Sequence, residues 1–235
     1  MATQLFLALD NLKEGSIQTL VDTSDLLESE ESFGIKFNLD AALNPYMPLS
    51  HVVKNLKCFG RLLFADLKMW NGSRTMESVV KTFVDLGVDF INVWASADEQ
   101  LEKAVKATEG SKTKVLGLTI LSHYGDVHCQ KWYKRTTREA IIDFSRYAVE
   151  AGCHGIILPG TMLDVVKDLQ TTKMATGMRT DWYKDNRHKQ EATPAEIAIG
   201  GADYAVCGSP ILKQPTKEKR IAALRKILEE MRQVV

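Results

Sequence analysis

Short apolar runs alternate with amphipathic stretches along almost the whole chain. Residues 5–9 are continuously apolar, as in a strand buried on both faces of a parallel sheet, and the run ends at Asp10. Residues 16–27 carry Ile17, Leu20, Val21 and Leu27 at helical spacing. Residues 34–38 predict a second strand with Lys36 inside it, residues 45–58 a helix in their second half, and residues 62–66 a third strand. Thr75 opens a helix whose Met76, Val79, Val80, Phe83 and Val84 share one stripe and which Gly87 closes.

The alternation continues with strands over 88–93, 113–120, 154–158, 173–178 and 203–207. Between them fall helices over 98–108, from Thr136 to residue 149, and over 161–169, and a last amphipathic helix covers 217–232. Thr136 to Glu139 and Thr193 to Glu196 are capping boxes, the second with Pro194 at the first helical position and Gly200 and Gly201 closing the helix. Eight strands alternating with helices, without linker or low-complexity sequence, predict a (β/α)8 TIM barrel forming a single domain over residues 1–235.

Composition changes this picture little. Lys plus Arg and Asp plus Glu both number 30, so no global field recruits nucleic acid or an anionic membrane, and any anion site must be local. Cys58, Cys129, Cys153 and Cys207 are scattered without paired spacing, which points to reduced thiols in a cytoplasmic protein. The first residues have neither a basic leader nor a long apolar run and read as a strand, not a signal peptide or membrane span.

In a barrel of this type the chemistry sits at the carboxyl ends of the strands. Asp10, Lys36, Asp66, Lys68, Ser122, Arg179 and Ser209 then face one mouth. Asp66 and Lys68 are two apart and point to the same side at the end of the third strand, an arrangement that holds a proton donor charged and aimed. Pairs of this kind are also common as plain surface ion pairs.

Two loops on that side are long, 122–135 after strand five and 179–192 after strand seven. The second, with Arg179, Lys184, Arg187, His188 and Lys189, suits an anion such as phosphate, or is a solvated mixed-charge loop. Trp132, Tyr133, Trp182 and Tyr183 in these loops are candidates for lids, for caps on the mouth, or for a subunit contact. His123, His128 and Cys129 match no zinc spacing and read as ordinary loop residues, so no metal is expected.

The chain resembles the orotidine 5'-phosphate decarboxylases over nearly its whole length. Leu7-Ala8-Leu9-Asp10 is similar to the family's first strand, Gly34-Ile35-Lys36 to the second-strand lysine, and Asp66-Leu67-Lys68 to the start of the Asp-x-Lys-x-x-Asp signature. Asn92-Val93-Trp94-Ala95 resembles the fourth strand, with Trp94 where histidine is usual. Leu118 to Ser122, Thr176-Gly177-Met178-Arg179, and the segment from Thr193-Pro194 to Ala202-Asp203-Tyr204 are similar to later family segments.

The resemblance implies a cofactor-free and metal-free decarboxylation of orotidine 5'-monophosphate to UMP, the last step of UMP synthesis. The carboxylate leaves as a vinyl carbanion forms at C6, and Lys68 stabilises and protonates that carbanion. Asp66 keeps Lys68 charged, Lys36 and Asp10 hold the ribose, and Ser122 contacts the base. Thr75, Arg179, Arg187, Lys189, Gly208 and Ser209 complete the expected substrate site, and the resemblance implies a homodimer.

The chain departs from the pattern in two places. The third signature position, which the family fills with an aspartate supplied by the dimer partner, is Asn71, and the strand-eight Gly-Arg pair whose arginine grips phosphate is Gly208-Ser209. One full charge at close range is worth about 4 kcal/mol at an effective dielectric of about 20, and half that in a barrier is roughly 30-fold in rate. Losing the arginine removes a bidentate phosphate donor, for which Arg179, Arg187 or Lys189 of the long loop are the candidate substitutes. Two alternatives therefore stand beside the decarboxylase: a related barrel enzyme acting on another phosphorylated substrate, and a nucleotide-binding paralogue without turnover. Sister barrels that decarboxylate keto-sugar phosphates hold Mg2+ with a glutamate on strand two; Lys36 occupies that strand here and points to the nucleotide branch.

Overall fold

Each apolar run pairs in parallel with the next. β1 (Gln4–Leu9), β2 (Gly34–Asn38), β3 (Leu63–Met69), β4 (Phe90–Trp94), β5 (Lys114–Leu118), β6 (Gly155–Pro159), β7 (Thr172–Thr176) and β8 (Tyr204–Cys207) follow one another around a closed barrel, and β8 returns to β1. The computed structural model describes residues 2–9, 26–43, 47–183 and 189–233. The expected helix over 16–27 lies outside them except for Leu26 and Leu27, as does Asp10.

Alternation along the strands sorts side chains into two layers. Leu5, Leu7, Leu9, Ile35, Phe37, Leu63, Ala65, Ile91 and Val93 join the outer core. Helices α1 (Leu39–Ala42), α2 (Leu49–Lys57), α3 (Ser73–Asp85), α4 (Glu99–Lys106), α5 (Asp126–Tyr133), α6 (Thr137–Glu150), α7 (Pro194–Ile199), α8 (Ser209–Leu212) and α9 (Lys217–Arg232) follow the strands, and several add to this core. The intervening positions point into the barrel. Phe6 there meets Phe64, Phe90 and Tyr204 edge-on, with ring centroids 6.1, 5.7 and 5.5 Å away. With Leu116, Leu118, Ile157 and Met174 these rings fill the barrel and give the site above a rigid apolar floor. The same alternation turns Lys36, Asp66 and Asn92 inward, one step further along their strands.

Both capping boxes form as the sequence predicts, at Thr136 with Glu139 and at Thr193 with Glu196. Four expectations need correction. The loop after strand five contains α5, which the pattern hides because its apolar residues share no face: Cys129 is buried while Val127 and Trp132 are exposed. Residues 161–169 form no α-helix but a 3-10 helix, Gly160–Val166. β7 ends at Thr176, and Met178 makes only an isolated bridge to Ala192. β3 runs past Asp66 to Met69, with its register to β4 shifting between Ala65 and Met69. Among the described residues no helix is long and apolar enough to cross a membrane.

Candidate active site

The irregular end of β3 builds one side of the barrel mouth. Asp66, on that strand, is held at both carboxylate oxygens. Oδ2 receives Lys36 Nζ from β2 at 3.0 Å, and Oδ1 pairs with Lys68 Nζ at 2.8 Å and accepts from Asn92 Nδ2 of β4 at 2.7 Å. Lys36 also donates to Asn38 Oδ1 at 2.6 Å. Burial alone would raise the Asp66 carboxyl, but the charges of Lys36 and Lys68 and their hydrogen bonds outweigh it and hold the group well below the usual carboxylate range. Asp66 is therefore an anion at any physiological pH. Lys68 adopts φ +51°, a left-handed conformation uncommon for a residue with a side chain, and its backbone N–H donates to Asn92 Oδ1 at 2.7 Å.

β5, β7 and β8 supply the opposite side. Ser122 is buried, and its carbonyl accepts from the backbone N–H groups of Lys189 and Gln190 at 3.2 and 3.1 Å. Gly177 has φ +79°, and a Cβ there would strike the Gln190 carbonyl and lie 2.9 Å from Ser122 Cβ, so only glycine lets these loops close together. Arg179 is also buried, donates from Nη1 to the Met178 carbonyl at 2.7 Å, and pairs loosely with Glu191, Nε to Oε1 at 3.9 Å. Gly208 packs against β1, where a Cβ would lie 3.0 Å from the Ala8 carbonyl oxygen. Beside it burial pushes the Cys207 thiol up to about 12, which makes it a packing group and not a nucleophile.

The two sides enclose a cavity of about 240 Å³ lined by Lys36, Asp66, Lys68, Ser122, Arg179, Gly208 and Ser209, over Phe64, Leu118, Ile157 and Val206. Seven residues predicted from the sequence thus meet around one space. Among the described residues that line it, Lys36, Lys68 and Arg179 face one carboxylate, Asp66, so the cavity suits an anion. A roomier cavity of about 310 Å³ between α4 and α6 is lined by Asp98, Glu102 and Glu150 without a basic residue and does not. Among the described residues no group of three or more His, Cys, Asp or Glu side chains is assembled to hold a metal ion, and His128 instead stacks on Tyr124 with centroids 3.5 Å apart.

Other expected site residues lie elsewhere. Asn71 and Thr75 are exposed outside the cavity, and Asn71 Oδ1 accepts from Gly72 N at 2.8 Å. Lys189 is exposed, its side chain running past Gly125, and Arg187 is outside the described residues, as is Asp10. Trp182 is no lid: its Nε1 donates to Glu230 of α9 at 3.2 Å and Lys226 lies over its ring. Tyr133 packs edge-on against Phe144, and Trp132 is exposed.

Two site residues were not read from the sequence. Asn92 is fully buried at the centre of the network, and its one signal is an amide within the apolar strand 90–94. Gln190, buried as well, ties the loop after β5 to the segment after β6 by donating to the Tyr124 carbonyl at 2.6 Å and accepting from Thr161 at 3.0 Å. No local pattern distinguishes it.

The chain is similar to known proteins over nearly its whole length. The chain is 27% identical over 223 residues to the orotidine 5'-phosphate decarboxylase of Streptococcus pneumoniae, covering 93% of each chain. Its fold matches the crystal structure of orotidine 5'-phosphate decarboxylase from Lactobacillus acidophilus with a TM-score of 0.78 at 21% identity, covering 99% of this chain and 100% of that one. It also matches an uncharacterized conserved protein from Geobacillus kaustophilus with a TM-score of 0.74 at 18% identity, covering 97% and 99%. The model of the orotidine 5'-phosphate decarboxylase / HUMPS family matches residues 3–224, so the chain belongs to that family.

Proposed function

We propose that this protein decarboxylates orotidine 5'-monophosphate to UMP and CO2. The observation that carries the reading is the ionic network in which Asp66 holds Lys68 at 2.8 Å and Lys36 at 3.0 Å around an otherwise cationic cavity. A substrate with a carboxylate on its base and a phosphate on its ribose is anionic at both ends. Arg179, with Gly177, Gly208 and Ser209 around it, receives the phosphate end, and Lys68 faces the carboxylate end.

The C6–carboxylate bond breaks, its electron pair stays on C6, and CO2 departs. The Lys68 ammonium lies beside the developing carbanion, stabilises it and delivers a proton to C6. The resulting neutral amine is reprotonated from water. Lys36, fixed between Asp66 and Asn38, orients the ribose, and Ser122 contacts the base. Remote phosphate binding supplies the energy that seats the reacting carbon against Lys68.

The protein acts in this reading as a cytoplasmic homodimer. The support is a set of exposed apolar side chains on the elements that follow β2 and β3, Leu39 at 48%, Leu43 at 70% and Trp70 at 58% exposure, next to exposed Asn71. In the dimer Asn71 completes the partner's site.

A second reading, a nucleotide binder without turnover, is favoured by Ser209 lining the cavity in place of an arginine and by the amide at Asn71. Incubation with orotidine 5'-monophosphate and chromatographic detection of UMP decides between them. Stoichiometric UMP formation is expected, whereas tight UMP binding without any product would establish the second reading.

A further inference from the structure

Asn92 forms two hydrogen bonds that close a ring. Its Nδ2 donates to Asp66 Oδ1 at 2.7 Å, and its Oδ1 accepts from the backbone N–H of Lys68 at 2.7 Å. Lys68 completes the circuit through its own ammonium, 2.8 Å from the same Asp66 oxygen. One side chain therefore grips both the carboxylate and the backbone of the lysine that the carboxylate holds.

Few residues satisfy this geometry. The position demands a donor toward an anion and an acceptor toward an N–H within one short side chain, and of the genetically encoded residues asparagine does both at this length. A carboxylate would keep the acceptor but set a second negative charge against Asp66, and an apolar residue would leave two buried polar groups unmatched. Asn92 is fully buried, so water does not replace it.

The Lys68 backbone gives the bond its purpose. Lys68 stands at φ +51°, where the β3–β4 register shifts, so regular strand pairing does not determine its conformation. Non-glycine residues held in this backbone region are strained and persist only when their surroundings hold them. The Asn92 carbonyl oxygen is the partner of the Lys68 N–H at that point.

We infer that Asn92 is a positioning residue, a clamp that locks the left-handed turn at Lys68 and the orientation of Asp66, and so aims the Lys68 ammonium into the cavity. The inference rests on the reading of Lys68 as the proton donor for its consequence in turnover, but the clamp itself is a statement about Lys68 and is measured without turnover.

The test uses the full chain with Asn92→Ala and Asn92→Asp, the second nearly isosteric in case the first does not fold. Each folded protein is acylated under limiting reagent at fixed pH, and the labelling rate of Lys68 is read by mass spectrometry against exposed Lys81. In Asn92→Ala the Lys68 rate rises by about tenfold or more relative to Lys81, because the side chain is released from its 2.8 Å contact with Asp66, and in Asn92→Asp, which keeps the acceptor but loses the donor, it changes in the same direction by less. With orotidine 5'-monophosphate, kcat falls about 100-fold while KM stays within about threefold, as for loss of aim rather than of binding. An unchanged Lys68-to-Lys81 labelling ratio in a folded variant overturns the clamp. A parent that labels as expected but yields no UMP overturns the proposed activity and leaves the clamp standing.

Discussion

The two sides of the barrel mouth are built on different principles. Around β2, β3 and β4, three charged side chains and two amides bond directly to one another, so each polar group is fixed by at least one neighbour. Around β5, β7 and β8 more of the site is backbone: Gly177 and Gly208 bring loops close, and among the described residues Ser122, His123, Arg179 and Ser209 supply side chains to that end. The difference teaches where the chain has freedom to diverge. A closed ionic network fails when one member is removed, whereas an end built largely of backbone depends less on any single side chain.

The ionic side depends most on Asp66. Asp66→Ala leaves Lys36 and Lys68 facing each other without their shared anion, and the expected loss is about 3–5 kcal/mol in urea denaturation. Because the Asp66 carboxyl is held far below its unfolded value of 3.8, its contribution is present in full above that pH and is lost as pH falls toward the folded value. The parent and Asp66→Ala should therefore converge in stability in strong acid. A loss under about 1 kcal/mol at neutral pH would mean the network does not hold this side of the mouth together.

Arg179→Ala probes the other side. UMP affinity should fall about 10- to 100-fold by calorimetry, the worth of one charge-assisted contact of about 1.5–3 kcal/mol, with a smaller effect on kcat. Undiminished affinity would move the phosphate grip elsewhere, with Lys189 as the next residue to test.

Asn71→Asp sharpens the comparison by adding charge to the ionic side. If Asn71 reaches a partner's Lys68, the new carboxylate should raise kcat about tenfold, a fraction of the full-charge effect because the site is partly solvated. Unchanged kcat in a dimer, measured together with light scattering, would detach Asn71 from the reaction.

The smallest effect lies at the far end of the barrel. His154 Nδ1 accepts from Val115 N at 3.1 Å, and burial, helped by Lys114, lowers the imidazole below its ordinary 6.5. A lowered folded value means the unfolded chain binds more protons, so this contribution is present above about pH 6.5 and declines as pH falls below it. His154→Asn keeps the acceptor without titrating, and should flatten stability between pH 7 and 5 by under about 1 kcal/mol, since the ring is only partly buried and solvent screens its charge. An identical pH slope in both proteins would remove His154 from the account.

The legibility of the sequence follows the range of the forces involved. Strand alternation is local, so continuous apolar runs reveal the barrel, and period two turns Lys36, Asp66 and Asn92 inward. What was hidden depends on partners distant in sequence. Asn92 reads as one amide in an apolar strand until Asp66 and Lys68 are brought beside it, and the left-handed backbone of Lys68 leaves no mark in the composition around it. Trp182 looks like a lid residue until Glu230 and Lys226, from the far end of the chain, draw it onto α9. α5 escapes because its apolar residues trace no stripe, so neither helical nor strand periodicity marks it.

In the proposed reaction labour is divided, with Lys68, held by Asp66, performing the chemistry while the rest of the cavity binds the substrate. It is tested most directly by following the loss of orotidine 5'-monophosphate absorbance with the parent and Lys68→Ala side by side, and titrating UMP into both. The account predicts turnover by the parent, a loss of at least about 1,000-fold in the variant, and UMP affinities within about threefold. No turnover by the parent, or comparable turnover by the variant, would contradict it.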